Sequence, residues 1–159
     1  MAEQYGLIGA DLDATLADST DDPAFALGTV THGVDGTKWM YVHASGAIAQ
    51  YDCVGIDENY EAAAMTKTIA DDGWAVGFAQ VAFADNDYGW VAISGSNISV
   101  NVLASCAADV VLYTSGTAGK LDDNSTSQTQ IAGVVIVATD GGSGSAIECI
   151  ATMPRSKTF

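Results

Sequence analysis

The residues of this chain with the most enzyme-like arrangement are two aspartates one position apart, Asp11 and Asp13, followed by Thr15 and Leu16. The chemistry open to such a pair is attack on a phosphate by one carboxylate, with a divalent cation held beside it. A site of this kind works only where the surrounding elements fix both carboxylates in place. The neighbouring sequence therefore decides whether the pair is catalytic.

Residues 11–19 (DLDATLADS) resemble the first motif of the haloacid-dehalogenase phosphatases, D-x-D-x-T-L. The resemblance implies that Asp11 is the nucleophile, that Asp13 is a general acid and base, and that Mg²⁺ binds beside them. One departure is Ala14, which stands where that family usually has glycine.

The elements that this phosphatase site requires are not indicated. The family needs a buried strand before the motif, and residues 5–10 (YGLIGA) form a weak one. It also needs a doubly wound α/β fold that supplies a lysine, whereas Lys38, Lys67 and Lys120 lie among predicted strands and turns. A short motif without its structural context is poor evidence for a function. We therefore predict that the chain is not an enzyme and assign no catalytic residue.

Other ligand or catalytic groupings are also missing from the sequence. His32 and His43 have no evident serine or cysteine partner, and the three cysteines are far apart without a C-x-x-C pair. Acidic pairs fall at predicted turns, and none has the spacing of an EF-hand calcium loop. These pairs are Asp71-Asp72, Asp85/Asp87 and Asp122-Asp123. We predict buried free thiols at Cys53, Cys106 and Cys149, and assign no metal or cofactor.

Most of the chain consists of short runs of alternating or β-branched apolar residues that end at glycine or aspartate turns. Runs of this kind at near-regular spacing are typical of an all-β barrel or sandwich. We predict a single antiparallel barrel or sandwich domain over residues 37–159, with eight to ten strands. Residues 131–138, nearly continuous in Val and Ile, are predicted to form a strand buried on both faces.

Two segments are less regular. Residues 1–36 are acidic and glycine-rich, and we predict an extended N-terminal arm with a short strand near residues 27–31. Residues 59–69 combine a helix-favouring Glu-Ala-Ala-Ala core with an alternating end, which favours a short helix or turn followed by a strand.

The formal net charge is −15, from 20 acidic and 5 basic side chains. A surface this acidic repels phosphate backbones and anionic lipid, so we expect neither nucleic-acid nor membrane binding. It suits a soluble protein or one that docks onto a basic surface. The sequence shows neither a secretory signal nor an apolar run long enough to span a bilayer, which predicts synthesis in a cytoplasm.

Aromatic residues on a β surface can anchor a protein interface or stack on sugar rings. Tyr88 and Trp90 lie just beyond a predicted hairpin turn, and Trp39 lies on an alternating strand. These three are our candidate interface residues. They are also the residues that a carbohydrate-binding alternative would use.

Several segments resemble capsid decoration, or cement, proteins of tailed bacteriophages. The resemblance covers residues 39–154, through glycine, aromatic and small residues. It is carried by residues 77–80 (GFAQ), 88–91 (YGWV) with Gly95, 112–115 (LYTS), 118–122 (AGKLD) and 131–134 (IAGV).

The resemblance implies a virion protein that binds the outer surface of an assembled capsid, with the major capsid protein as partner. It implies a homo-oligomer, for which a trimer is a candidate, and it maps no catalytic motif. The protein would be made in the host cytoplasm and end on the capsid exterior. The alternatives are another virion or surface β module, such as a tail component or a carbohydrate-binding domain, and the Mg²⁺-dependent phosphatase.

Overall fold

One large mixed sheet dominates the described part of the chain, residues 9–18 and 23–157 of the computed structural model. Strands make up 48% of the structure and helix 3%, so the prediction of a mainly β protein is confirmed. The elements are β1 (Thr15–Ala17), β2 (Val30–His32), β3 (Lys38–Ala44), β4 (Cys53–Ile56), β5 (Glu61–Ala64), α1 (Lys67–Asp71), β6 (Ala75–Ala79), β7 (Asp87–Asn101), β8 (Leu112–Thr114), β9 (Leu121–Asp122), β10 (Gln130–Ile136) and β11 (Ala146–Lys157).

The longest strand, β7, organises the sheet, because it pairs with β1, β3, β6 and β11. The strand order is β1-β7-β3-β5-β4-β6-β11-β10-β8-β9, and β2 pairs with β3. Pairings therefore run from β7 through β3, β5, β4 and β6 and return to β7. The expectation of a purely antiparallel sheet is wrong at one pair, since β3 and β5 are parallel. The antiparallel β4–β5 pair brings β5 alongside β3 in the same direction.

The central strands are buried on both faces, so alternate side chains enter two different cores. In β3, Trp39 and Tyr41 point into a larger core, while Val42 and Ala44 point into a smaller one. The same alternation places Trp90 in the larger core and Val91 in the smaller one. Period-two alternation of side chains across a strand produces this division.

The sequence prediction for residues 59–69 has the elements in the wrong order. The strand comes first, as β5 over Glu61–Ala64, and the helix α1 follows from Lys67. Pairing of β5 between β3 and β4 overrides the helix propensity of its alanines. The Thr66 hydroxyl caps α1 by accepting a hydrogen bond from the Ile69 backbone N–H at 3.3 Å. In the described part of the chain, no helix has the length and apolarity needed to cross a bilayer.

The described residues of the N-terminal segment lie on the sheet of their own chain. Leu12 is fully buried in the larger core, and β1 pairs with β7. The predicted short strand is present as β2, slightly later than expected, and its hairpin with β3 spans the predicted boundary at residue 36. An extended arm is therefore not seen at residues 9–18 and 23–36. The rest of the predicted arm, residues 1–8 and 19–22, lies outside the described residues.

Candidate interaction surface

Two of the three predicted interface aromatics belong to the larger core. Trp39 is 2% exposed and Trp90 is 1% exposed. The Trp90 ring packs edge-on against Tyr41 and Phe25, with ring centroids 5.1 Å apart in both pairs. The expectation that Trp39 and Trp90 present their rings to a partner is thus corrected, because both indoles are buried in the larger core.

The third predicted residue, Tyr88, is half-buried at the edge of this aromatic cluster. Its hydroxyl donates a hydrogen bond to Asp18 Oδ1 at 2.9 Å, and its ring lies 4.7 Å from the His43 ring. A cavity of about 260 Å³ beside Tyr88 is lined in part by Tyr41 and Trp90. Burial raises the pKa of Tyr41, against the opposing effect of a backbone hydrogen bond with Ala24. Of the three predicted residues, Tyr88 alone is thus partly open to solvent.

The paired aspartates of the phosphatase-like motif lie in the turn before β1, a short peripheral strand. Asp11 Oδ1 accepts a hydrogen bond from the Asp13 backbone N–H at 3.1 Å, which closes a local Asx turn. Between them, Leu12 is anchored in the core. Lys67 pairs with Asp71, and Lys120 donates to the Gly144 carbonyl at 2.9 Å. This geometry makes the motif a core-anchored turn, with those two lysines engaged elsewhere.

The cysteines are buried and free, as predicted. Burial raises the pKa of all three thiols, with smaller contributions from nearby acidic groups. The pKa of Cys106 is raised to about 11 and that of Cys149 to about 12, and the pKa of Cys53 lies well above its ordinary value. Potential ligand atoms of Cys106, Asp122 and Asp123 lie within 4.8 Å of one another. Asp123 Oδ2 already accepts a hydrogen bond from the Ala107 backbone N–H, and we assign no metal to this cluster.

The prediction that residues 131–138 are buried on both faces is wrong for one face. Ile131, Val134 and Ile136 are buried, but Val135 and Val137 lie on the outer face and are 38% and 44% exposed. No further layer of the described residues covers this face of β10. The continuous apolar sequence predicted a strand covered by protein on both faces, whereas the described residues cover only the inner face of β10.

The outer face of β10 and β11 forms an exposed apolar surface, which we call the valine patch. Val135 lies directly opposite Ile150 in the pairing of the two strands, and a neighbouring loop adds two more valines. Each member is between 37% and 46% exposed, and a groove of about 370 Å³ lies on this face. The patch consists of Val110, Val111, Val135, Val137 and Ile150.

The charged residues beside the valine patch lie at its margin. Asp109 precedes Val110 and lines the groove, and Glu148 is bonded through its carbonyl to the Val137 backbone N–H at 3.0 Å. An apolar centre with polar groups at the rim is the usual anatomy of a protein–protein interface. The sequence does not reveal this surface, because its residues have the apolar, β-branched character of core residues.

A second feature missed by the sequence analysis is Asp140, which organises the glycine-rich loop before β11. Its buried carboxylate accepts hydrogen bonds from the backbone N–H groups of Ser105, Gly142, Gly144 and Ser145, and from the Ser145 hydroxyl. These donors hold the pKa of Asp140 well below its ordinary value. This glycine-rich loop is therefore fixed from within by one carboxylate.

No protein-family model matches this chain, and no curated protein matches its sequence significantly. Its function therefore has to be inferred from its own residues and their geometry.

Proposed function

We propose that this chain is a structural virion protein of the decoration type, which binds the outer surface of an assembled phage capsid. The observation that carries the proposal is the valine patch on β10 and β11. Exposed contiguous apolar surface on a protein marks a site of association. A virion protein that strengthens a shell needs such a contact surface on a rigid sheet, and it needs no catalytic centre.

The acidity of the chain supports the same role. With a net charge of −15, copies of the free protein repel one another, which keeps a protein with an exposed apolar patch soluble before docking. Many copies on a repeating shell gain strength through multivalency even where each contact is weak. The partner is the major capsid protein, and the location is the capsid exterior after synthesis in the host cytoplasm.

The proposal has three structural parts beyond the mainly β fold: a closed barrel, a homo-oligomer and a short N-terminal arm. We propose that β3, β4, β5, β6 and β7 close as a small barrel around Val42, Val54 and Val91, since their pairings form a continuous circuit. We propose a homo-oligomer, with a trimer as the candidate. We propose that any arm reaching a neighbouring subunit is confined to the first residues of the chain, because Leu12 is fixed in its own core.

The test is co-sedimentation of the purified chain with expanded phage capsids that lack it. The unmodified chain is expected to sediment with the capsids. Val135→Asp and Ile150→Asp place a charge in the patch and are expected to weaken binding by at least about tenfold. Both variants should keep their unfolding free energy within about 1 kcal/mol, since both side chains are already partly in water.

The matched control is Val34→Asp, which adds the same charge at a valine that is 72% exposed in a turn outside the patch. It should bind like the unmodified chain. An unmodified chain that stays in the supernatant contradicts capsid binding. Sedimentation with isolated tails in place of capsids would assign the protein to the tail-component alternative.

A further inference from the structure

A second apolar surface lies on another part of the sheet, and we call it the Met153 groove. It has a volume of about 540 Å³ and crosses several strands. Val30 of β2 lies opposite Met40 of β3, and Ile93 of β7 continues the same floor. Its main lining residues are Val30, Met40, Trp74, Ile93, Met153 and Pro154, and the basic residues Lys38 and Arg155 also line it.

Two apolar side chains of this groove are exposed to water. Met153 is 70% exposed and Val30 is 46% exposed. Met40 and Ile93 pack against the smaller core from the same side, so the groove continues that core to the surface. An apolar surface of this kind is stabilised when a partner covers it.

The backbone at Met153 is held in an uncommon conformation. Its φ is +46°, in the left-handed region, which a long side chain seldom adopts. The cause is a bulge in the β10–β11 pairing, where Gly133 opposes the segment around Met153 and a side chain at Gly133 would meet the Thr152 carbonyl oxygen at 2.7 Å. The bulge directs Met153 outward, and strain of this kind concentrates at binding sites.

The charge of the groove differs from that of the rest of the protein. The chain has five basic residues against twenty acidic ones, and two of the five line this groove. Lys67 forms a salt bridge with Asp71. Among the described residues, neither Lys38 nor Arg155 has an ion-pair partner. Two unpaired cations beside an apolar floor attract a ligand that carries carboxylates next to apolar groups.

We propose that the Met153 groove binds a peptide segment of another protein in which apolar side chains alternate with carboxylates. The apolar side chains contact Met153, Met40 and Val30, and the carboxylates pair with Lys38 and Arg155. This inference is independent of capsid binding, because it concerns a different surface. That surface carries positive charge, whereas the chain as a whole is acidic.

Trp74 makes the proposal measurable. It is half-buried in the groove, whereas Trp39 and Trp90 are buried in the core, so a change in tryptophan emission on binding reports on Trp74. The full chain would be titrated with an acetylated, amidated Leu-Asp-Leu-Asp-Leu peptide. Leu-Lys-Leu-Lys-Leu and Ser-Asp-Ser-Asp-Ser peptides would serve as matched probes. Saturable binding is expected for the Leu-Asp peptide alone.

Variants separate the two parts of the site. The double variant Lys38→Gln/Arg155→Gln should weaken binding of the Leu-Asp peptide by at least about fivefold, and Met153→Ser should weaken it by the same factor. Lys67→Gln removes one positive charge outside the groove and should leave binding unchanged. Circular dichroism would show that each variant is folded.

The proposal is overturned by absence of saturable binding, by equal binding of the Leu-Lys peptide, or by full binding in the double variant. Sedimentation equilibrium on the unmodified chain would show whether a second copy of the chain occupies the groove. A dimer that Met153→Ser dissociates, together with no peptide binding, would overturn the proposal in favour of self-association.

Discussion

The side chain of Gln80 pairs with the backbone of Ser99 as a neighbouring strand would. Gln80 Nε2 donates to the Ser99 carbonyl at 2.9 Å, and Gln80 Oε1 accepts from the Ser99 N–H at 3.0 Å. Gln80 is buried and directly follows β6. Its amide therefore links the end of β6 to Ser99, in the part of β7 that pairs with β11.

Replacing Gln80 by leucine should lower the free energy of unfolding by about 2–3 kcal/mol, because two backbone groups of Ser99 lose their partners. Urea unfolding would measure the change. Gln50→Leu is the control, since the exposed Gln50 side chain donates a single hydrogen bond, from Nε2 to the Gln80 carbonyl. Equal losses in both variants would contradict the role of the Gln80–Ser99 pairing.

Gly119 is required by close packing against Asp52. Its φ is +78°, and a Cβ there would lie 2.3 Å from the Asp52 carboxyl carbon. Asp52 is fixed by hydrogen bonds from Ala49 and Asn101, so it cannot easily move aside. Gly119→Ala should therefore cost more than about 2 kcal/mol of stability.

The control for Gly119 lies in the same loop. A Cβ at Gly116 would have no atom within 4 Å, so Gly116→Ala should change the unfolding free energy by less than about 0.5 kcal/mol. Chemical denaturation of the pair would measure the contrast. A neutral Gly119→Ala would mean that the loop rearranges freely around Asp52.

Asp140 predicts a pH dependence of stability. Its pKa is lower in the folded chain than in the unfolded chain, because several backbone N–H groups donate to its carboxylate. The stabilisation is therefore complete above the unfolded pKa of about 3.9 and is lost as the pH falls through the lower folded value. Asp140→Asn should unfold at a lower temperature than the unmodified chain at pH 7, and this difference should shrink below about pH 4.

Thermal unfolding followed by circular dichroism between pH 7 and pH 2 would measure this difference. The control is Asp85→Asn, at an exposed turn carboxylate. A difference between Asp140→Asn and the unmodified chain that stays constant down to pH 2 would show that the Asp140 charge has no such role.

Strand content could be predicted because alternation and turn residues are local signals. The segment Glu61–Ala64 could not, since its alanines favour helix and only pairing with β3 and β4 makes it a strand. The same limit applies to the parallel β3–β5 pair, which depends on contacts between distant residues.

The candidate surface was harder to predict than the fold. Val135 and Val137 have the sequence character of core residues, and only the missing outer layer reveals them as surface. Trp39 and Trp90 show the reverse, since both were expected at an interface and both are buried in the larger core. Burial on a given face depends on the sheet topology, which the local pattern does not contain.

The position of β7 at the centre of the sheet has a consequence for synthesis. Two of its partners come from opposite ends of the described chain, Thr15–Ala17 and Ala146–Lys157. A ribosome delivers the second of these strands last, so the sheet stays incomplete until nearly the whole chain has emerged. Until then β7 has an open edge, and we expect a chain shortened before Ala146 to be recovered as aggregate, not as soluble protein.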